Sequence, residues 1–173
     1  MIMSANTNDD WLDDENGDEE FEETVEEKYL SFKVGSDCFV IAILGVQEII
    51  GVLKMTLVPD LPEYVLGVIN LRGQIVPIIS MRKRFHLQDR AFTERTCTVV
   101  VKRDDLVLGL IVDEVSDVVQ IKKEQIQEPH GLKTEAEQRF VVGFAKVGDE
   151  LQVILDLDKM LKENEWQTLQ SVS

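Results

Sequence analysis

The chain repeats itself. Setting Val46 over Val115, an offset of 69, brings Lys33 onto Lys102, Ile41 onto Leu110, Ile43 onto Val112, Glu48 onto Asp117 and Ile49-Ile50 onto Val118-Val119 without a gap. Further along, an offset of 76 sets Gly67 over Gly143, Leu71 over Val147, Ile78-Ile79 over Ile154-Leu155 and Met81 over Leu157. Alternating strands resemble one another, so short apolar runs alone do not distinguish a repeat from coincidence. The ungapped matches favour a duplication that yields two small β-barrels. Neither is large enough to stand alone, and each gains by burying one face against the other. Barrel closure would also protect strand edges.

Local signals fill in this frame. Tyr29–Val34 and Cys38–Ile43 are short β-type runs separated by the turn signal Gly35-Ser36-Asp37, and Val46–Val52 continues the pattern. Pro59 and Pro62 mark a loop. Gly67 to Ile78 reads as a hairpin, and Met81–Leu87, basic and amphipathic, as one or two helical turns. Cys97–Arg103, Leu106–Asp113 and Val115–Ile121 are again β-rich. Gln127–Gln138, with Pro129 and Gly131, reads as a loop. Phe140–Val147 and Glu150–Leu157 form a second hairpin around Gly148-Asp149. Asp158–Leu169 reads as a closing helix with Met160, Leu161 and Trp166 inward. Pro77 cannot donate to a ladder, which predicts an edge strand.

The repeat isolates one residue. The first hairpin turns at Arg72-Gly73, the second at Gly148-Asp149. A two-residue type I′ turn needs positive φ at both centres. Gly73 suits it; Arg72 costs of the order of 1 kcal/mol there. The second hairpin turns without arginine, so the cost at Arg72 points to function. A guanidinium beside Val68, Leu71 and Ile75 suits a protein interface.

Charge divides the chain. The net charge is −15, yet residues 1–27 hold twelve acids and no Lys or Arg. The remainder carries only −3, from 21 acids and 18 bases. Such a tail is too charged to collapse, so 1–27 are expected to be disordered. Trp11, Leu12 and Phe21 offer anchors within it. No apolar run approaches the ~18 residues of a membrane span, and no signal-peptide pattern opens the chain. Cys38 and Cys97, without CxxC spacing, are expected to be reduced, buried thiols of a cytoplasmic protein.

Catalytic patterns do not emerge. His86 and His130 lack a partner at metal-ligand spacing, and there is no GxSxG, phosphate loop or GxGxxG. No catalytic residue, metal ligand or cofactor is assigned. Asp113-Glu114 and Asp156/Asp158 fall at strand ends, as solvated or capping groups. Small barrels can bind nucleic acid. The near-neutral body, its single basic cluster Arg82-Lys83-Arg84 and 6% aromatic residues argue against a polyanion partner. A ligand-binding or enzymatic barrel is the alternative reading.

PDLPEYVLGVINLRGQIVPIISMRKRF, with VQEII upstream, LGLIVDEVSDVVQI downstream and VVGFAKVGDELQVILDLDKML near the end, resembles the CheW family of chemotaxis coupling proteins. The resemblance spans about residues 28–163, leaving 1–27 as a tail and 164–173 as a helix end. It implies two intertwined five-stranded SH3-like β-barrels around a shared core. It implies a cytoplasmic adaptor without catalysis. The adaptor would bridge the cytoplasmic tips of methyl-accepting chemoreceptors to the regulatory domain of the histidine kinase CheA. It would meet the membrane only through receptor arrays.

The resemblance places Val46, Glu48, Ile49 and Arg72 on the kinase side. It places Gly67, Arg72, Thr98, Val99 and Val118 at a receptor groove between the lobes. Asn70, Leu71 and Gly73 match its hairpin. Two departures stand out. Ser80-Met81-Arg82 replaces an Asp-Leu-Arg, which reads as a lost cap or surface contact. Cys97-Thr98 makes one groove wall more polar.

Overall fold

The computed structural model describes residues 28–132 and 134–172. The expected disordered tail, 1–27, lies outside the described residues.

Ten strands follow one another. They are β1 Lys28–Val34, β2 Asp37–Ala42, β3 Val46–Ile50, β4 Val65–Leu71, β5 Gln74–Ser80, β6 Cys97–Arg103, β7 Leu106–Val112, β8 Glu114–Gln120, β9 Val141–Val147 and β10 Glu150–Leu155. Three short helices join them: α1 Met81–Arg84, α2 Glu135–Phe140 and α3 Glu163–Val172. None is long and apolar enough to cross a membrane.

The sheets mix the two halves. One runs β8-β1-β2-β10-β9, the other β3-β6-β7-β5-β4. Exchanging the repeats converts the first order into the second. Each lobe therefore takes a hairpin from one half and three strands from the other. The registers obey the same exchange: Ile154 pairs with Val40 and Ile78 with Gly109 in the two parallel ladders. The Ser80 N–H donates to the Tyr64 carbonyl at 2.8 Å, as Asp156 does to Phe140 at 2.9 Å.

Interleaving explains the core. Leu30, Phe32, Phe39 and Ile41 of one hairpin share a buried cluster with Val99, Val101, Leu108 and Leu110 of its repeat. Alternate residues of each strand point to the same face. Smaller clusters fill each lobe: Ile69, Val76 and Ile78 in one, Val40, Ala145 and Ile154 in the other. Neither half can be removed without opening all three.

Closure is partial. Among the described strands no ladder joins β3 to β4 or β8 to β9. The chain leaving β3 instead makes one bridge, Thr56 to Val68; the chain leaving β8 makes its counterpart, Gln127 to Phe144. Gly67 and Gly143 sit beneath these bridges. A Cβ there would meet the Thr56 carbonyl oxygen at 2.5 Å or the Gln127 carbonyl oxygen at 2.4 Å.

Three expectations change. β5 is interior, between β7 and β4, so Pro77 does not mark an edge. It is tolerated because the parallel ladder with β7 begins one residue later, at Ile78. Gln127–Gln138 is not all loop: α2 starts at Glu135, where the Thr134 side chain accepts the Glu137 N–H. The closing helix is split into a 3-10 turn, Leu157–Lys159, and α3. The Asp156 carboxylate caps the turn by accepting the Asp158 N–H, and the Glu165 side chain accepts the Lys162 N–H at 2.8 Å. Trp166 and Leu169 of α3 are buried in the main core beside Met160 and Leu161.

Candidate interaction site

The β4–β5 turn adopts the conformation its sequence demands. Arg72 has φ +51° and Gly73 φ +88°. The Asn70 Oδ1 accepts the Gly73 N–H at 2.8 Å and pins the loop. The Arg72 side chain is 68% exposed and pairs with Glu48. β3 and β4 are opposite edges of one sheet, so this pair closes a circuit that backbone bonds leave open. An exposed pair of this kind contributes at most about 1 kcal/mol. The left-handed backbone costs about as much, so fold stability does not account for the arginine.

On the strands that carry this pair and its turn, Ile49 of β3 is 43% exposed and Ile75 of β5 is also exposed. Val46 is half-buried against the main core. Arg72 and Glu48 thus make one exposed pair at the sheet edge, with Ile49 exposed at the next position of β3. The other residues assigned to partner contact do not join it. Thr98 and Val99 are buried in β6, between β3 and β7. Both side chains are enclosed, so Thr98 lies within the wall of β6 rather than on its surface. Gly67 is buried under Thr56. Val118, 47% exposed, lies on β8, the edge of the other sheet.

A groove opens against the β1-β2-β10-β9 sheet and takes Lys102 from β6 of the other. Tyr29, Ala42, Val142, Ile154 and Leu157 line about 310 Å³, with Lys102, Asp156 and Asp158 among the other lining residues. Val142 is the bulge residue where β9 slips register against β10. None of these residues is assigned to a groove by the sequence. Extending the repeat to the residues flanking each strand was the available signal.

Polar groups hold the framework. Ser80 caps α1 by accepting the Lys83 N–H at 3.2 Å, so the cap is kept without the acid. Asp113 is not a solvated strand end. The Arg82 guanidinium donates to it through Nε at 2.8 Å and Nη2 at 2.7 Å, and the Gly35 N–H adds a third bond at 2.8 Å. Burial alone would raise the Asp113 carboxyl. The hydrogen bonds from Arg82 and Gly35, with the charges of Arg82 and Arg90, outweigh it and hold the group below the usual carboxylate range. A lowered carboxylate stabilises the fold above its unfolded value, near 4, and loses that contribution as pH falls through the folded value. Asp113→Asn is therefore expected to be less stable than wild type at pH 7. The gap should narrow at pH 3 in urea melts; a constant gap would show that charge plays no part.

Arg84, in the same basic run, is buried. Its Nε and Nη2 donate to the Met160 carbonyl at 3.0 and 2.7 Å, and it lies over the Tyr64 and Phe140 rings. Burial lowers its basicity against the charge of Glu165. Burial and a hydrogen bond to Glu165 push the Tyr64 hydroxyl well above its usual range.

Both thiols are free and half-buried rather than fully buried. Cys38 donates to Glu150 at 3.4 Å and Cys97 to the Arg95 carbonyl at 3.1 Å. Among the described residues no group of three or more His, Cys, Asp or Glu could hold a metal ion.

A CheW-like domain model matches residues 28–165. The chemotaxis protein CheW of Klebsiella aerogenes is 34% identical over 151 residues, covering 87% of this chain and 91% of that one. The CheW of Treponema pallidum is 31% identical over 144 residues, 81% of this chain and 85% of that one. The crystal structure of the scaffolding protein TtCheW from Thermoanaerobacter tengcongensis superposes with a TM-score of 0.72 at 31% identity. It covers 81% of this chain and 95% of that one.

Proposed function

The chain belongs to the CheW-like family as a non-enzymatic chemotaxis coupling adaptor, and we propose that it joins receptor to kinase through two separate faces. The kinase face is built on Glu48, Ile49 and Arg72, where it meets the regulatory domain of CheA. The observation that carries this reading is the exposed, left-handed Arg72 paired with Glu48 across the sheet edges. Arginine is among the residues that most often dominate the binding energy of an interface.

The receptor face is the groove between the lobes. Tyr29, Ala42, Val142 and Leu157 offer an apolar trough for a receptor helix tip, a helix-in-groove mode. Val118, on β8 beside β1, extends this side. Thr98, Val99 and Gly67 act beneath the surface by holding β6 and β4 in place. The protein works in the cytoplasm and is recruited to receptor arrays, where many modest contacts add by avidity. Signals pass because receptor conformations bind the groove unequally; equal binding would transmit nothing.

Co-sedimentation with receptor cytoplasmic fragments and the kinase regulatory domain tests both faces. Arg72→Ala is expected to weaken kinase binding by about 1–3 kcal/mol while melting within a few degrees of wild type. Ala42→Arg, which fills the groove, is expected to weaken receptor binding and spare the kinase. Wild-type affinity for Arg72→Ala in both arms would remove the kinase face.

A further inference from the structure

Exchanging the repeats turns the groove between the lobes into a second one. Ala42 maps onto Ile111 at offset 69, and Val142, Asp156 and Asp158 map onto Leu66, Ser80 and Arg82 at offset 76. Ile111, Leu66, Ser80 and Arg82 line a cavity of about 400 Å³, beside Arg90 and Phe92. Leu66 is the bulge residue of β4, as Val142 is of β9. The duplication therefore set corresponding residues in two clefts, and the segment from Asp89 to Thr96 adds a further wall to the second.

Their charges have diverged. The first cleft holds Lys102 against Asp156 and Asp158, a net −1. The second holds Arg82, Lys83 and Arg90 against Asp89 and Asp113, a net +1. Arg82 is committed to Asp113. Among the described residues, Lys83 is held only by exposed Asp89 at 3.6 Å, and Arg90 only by a 3.9 Å approach to Asp113. Such surface pairs exchange at little cost. Phe92, 49% exposed, stands at the same cleft.

We propose that this second cleft docks the acidic segment of the same chain, with Trp11-Leu12 against Phe92 and Leu66 and the flanking aspartates on Lys83 and Arg90. The segment reads Asp9-Asp10-Trp11-Leu12-Asp13-Asp14, an apolar pair between two pairs of acids. It complements a cleft that is apolar inside and basic at its rim, and it is repelled by the net-negative twin. The reach is sufficient. The segment joins the body at Lys28, the far end of β1 from Gly35, whose N–H is bound to Asp113 in the cleft wall. That strand is roughly 20 Å long, and seventeen residues from Lys28 back to Trp11 span up to about 60 Å. Phe21, seven residues away and limited to about 25 Å, lacks the slack. Docking there leaves the twin cleft open.

Zero-length carbodiimide cross-linking of the full chain, read by mass spectrometry of the monomer band, tests this. Lys83 is expected to couple to Asp9, Asp10, Asp13 or Asp14, with Lys102 of the twin cleft coupling rarely. Arg90→Glu and, separately, Phe92→Ser should each cut the Lys83 yield several-fold, as should about 0.5 M salt, which screens exposed charges. The two variants alter different exposed side chains, and each is checked for a wild-type melt. Equal coupling to Lys83 and Lys102, yields unchanged by both variants, or links confined to the dimer band would each overturn the proposal.

Discussion

Arg84→Ala is expected to destabilise the fold by about 3–5 kcal/mol, the range for removing one partner from a buried charged cluster. At roughly 2–4 °C per kcal/mol for a domain of this size, the midpoint falls by about 10 °C. The substitution removes both donors to the buried Met160 carbonyl and leaves that acceptor unpaired. It also strips the cation from between the Tyr64 and Phe140 rings and from beside Glu165. Glu165 in turn accepts from Tyr64 and from the Lys162 N–H at the start of α3. One guanidinium thus ties α1, which follows the first hairpin, to the closing helix of the second half. Arg84→Lys should recover little, because an ammonium lacks the planar fork that reaches one carbonyl twice. Urea melts followed by circular dichroism check this; a loss below about 1 kcal/mol would show that the cluster is not buried in solution.

Arg84 also shows where sequence reading stops. In Arg82-Lys83-Arg84 three cations look alike. Only tertiary packing separates them into a clamp on Asp113, a half-exposed rim residue and a buried tie. Arg72 is the opposite case. Its turn conformation follows from local rules, and the repeat supplies its own comparison in Gly148, which has φ +62°.

The strand pairs were equally legible, because turn chemistry and alternation act within a hairpin. The interleaving was implied only by the family resemblance, not by local signals. β3 and β8 have the same pattern, so nothing local says which joins which hairpin; burial of the shared core decides it. Pro77 misled for a related reason: the rule excludes proline from a ladder, and the ladder with β7 begins only one residue past it. α2 was missed although Thr134 and Glu137 carry the spacing of a helix start, because Pro129 and Gly131 dominated the segment. The groove is not read from the sequence because alternation names the buried face of a strand, and this cleft is lined largely by bulge and strand-end residues.

The two glycines under the cross-strand bridges allow a sharper test of the duplication. Gly67→Ala places a Cβ 2.5 Å from the Thr56 carbonyl oxygen and 3.2 Å from its carbon. Both atoms are backbone and cannot rotate aside, so the bridge of two 2.9 Å bonds between Thr56 and Val68 must open. Overpacking of this kind costs about 1–3 kcal/mol. Gly67 also has φ +155°, a region that side chains rarely enter, which adds about 1–3 kcal/mol. Gly143→Ala meets the Gln127 oxygen at 2.4 Å but has no such backbone strain. The expected losses are therefore about 2–6 kcal/mol at Gly67 and about 1–3 kcal/mol at Gly143, read by chemical denaturation. Because Gly67 lies on the strand leading to Arg72, its variant should also lose kinase binding, whereas Gly143→Ala should keep it. Equal losses at the two sites would mean that the backbone at Gly67 relaxes freely. The repeats would then differ in sequence but not in the strain they carry.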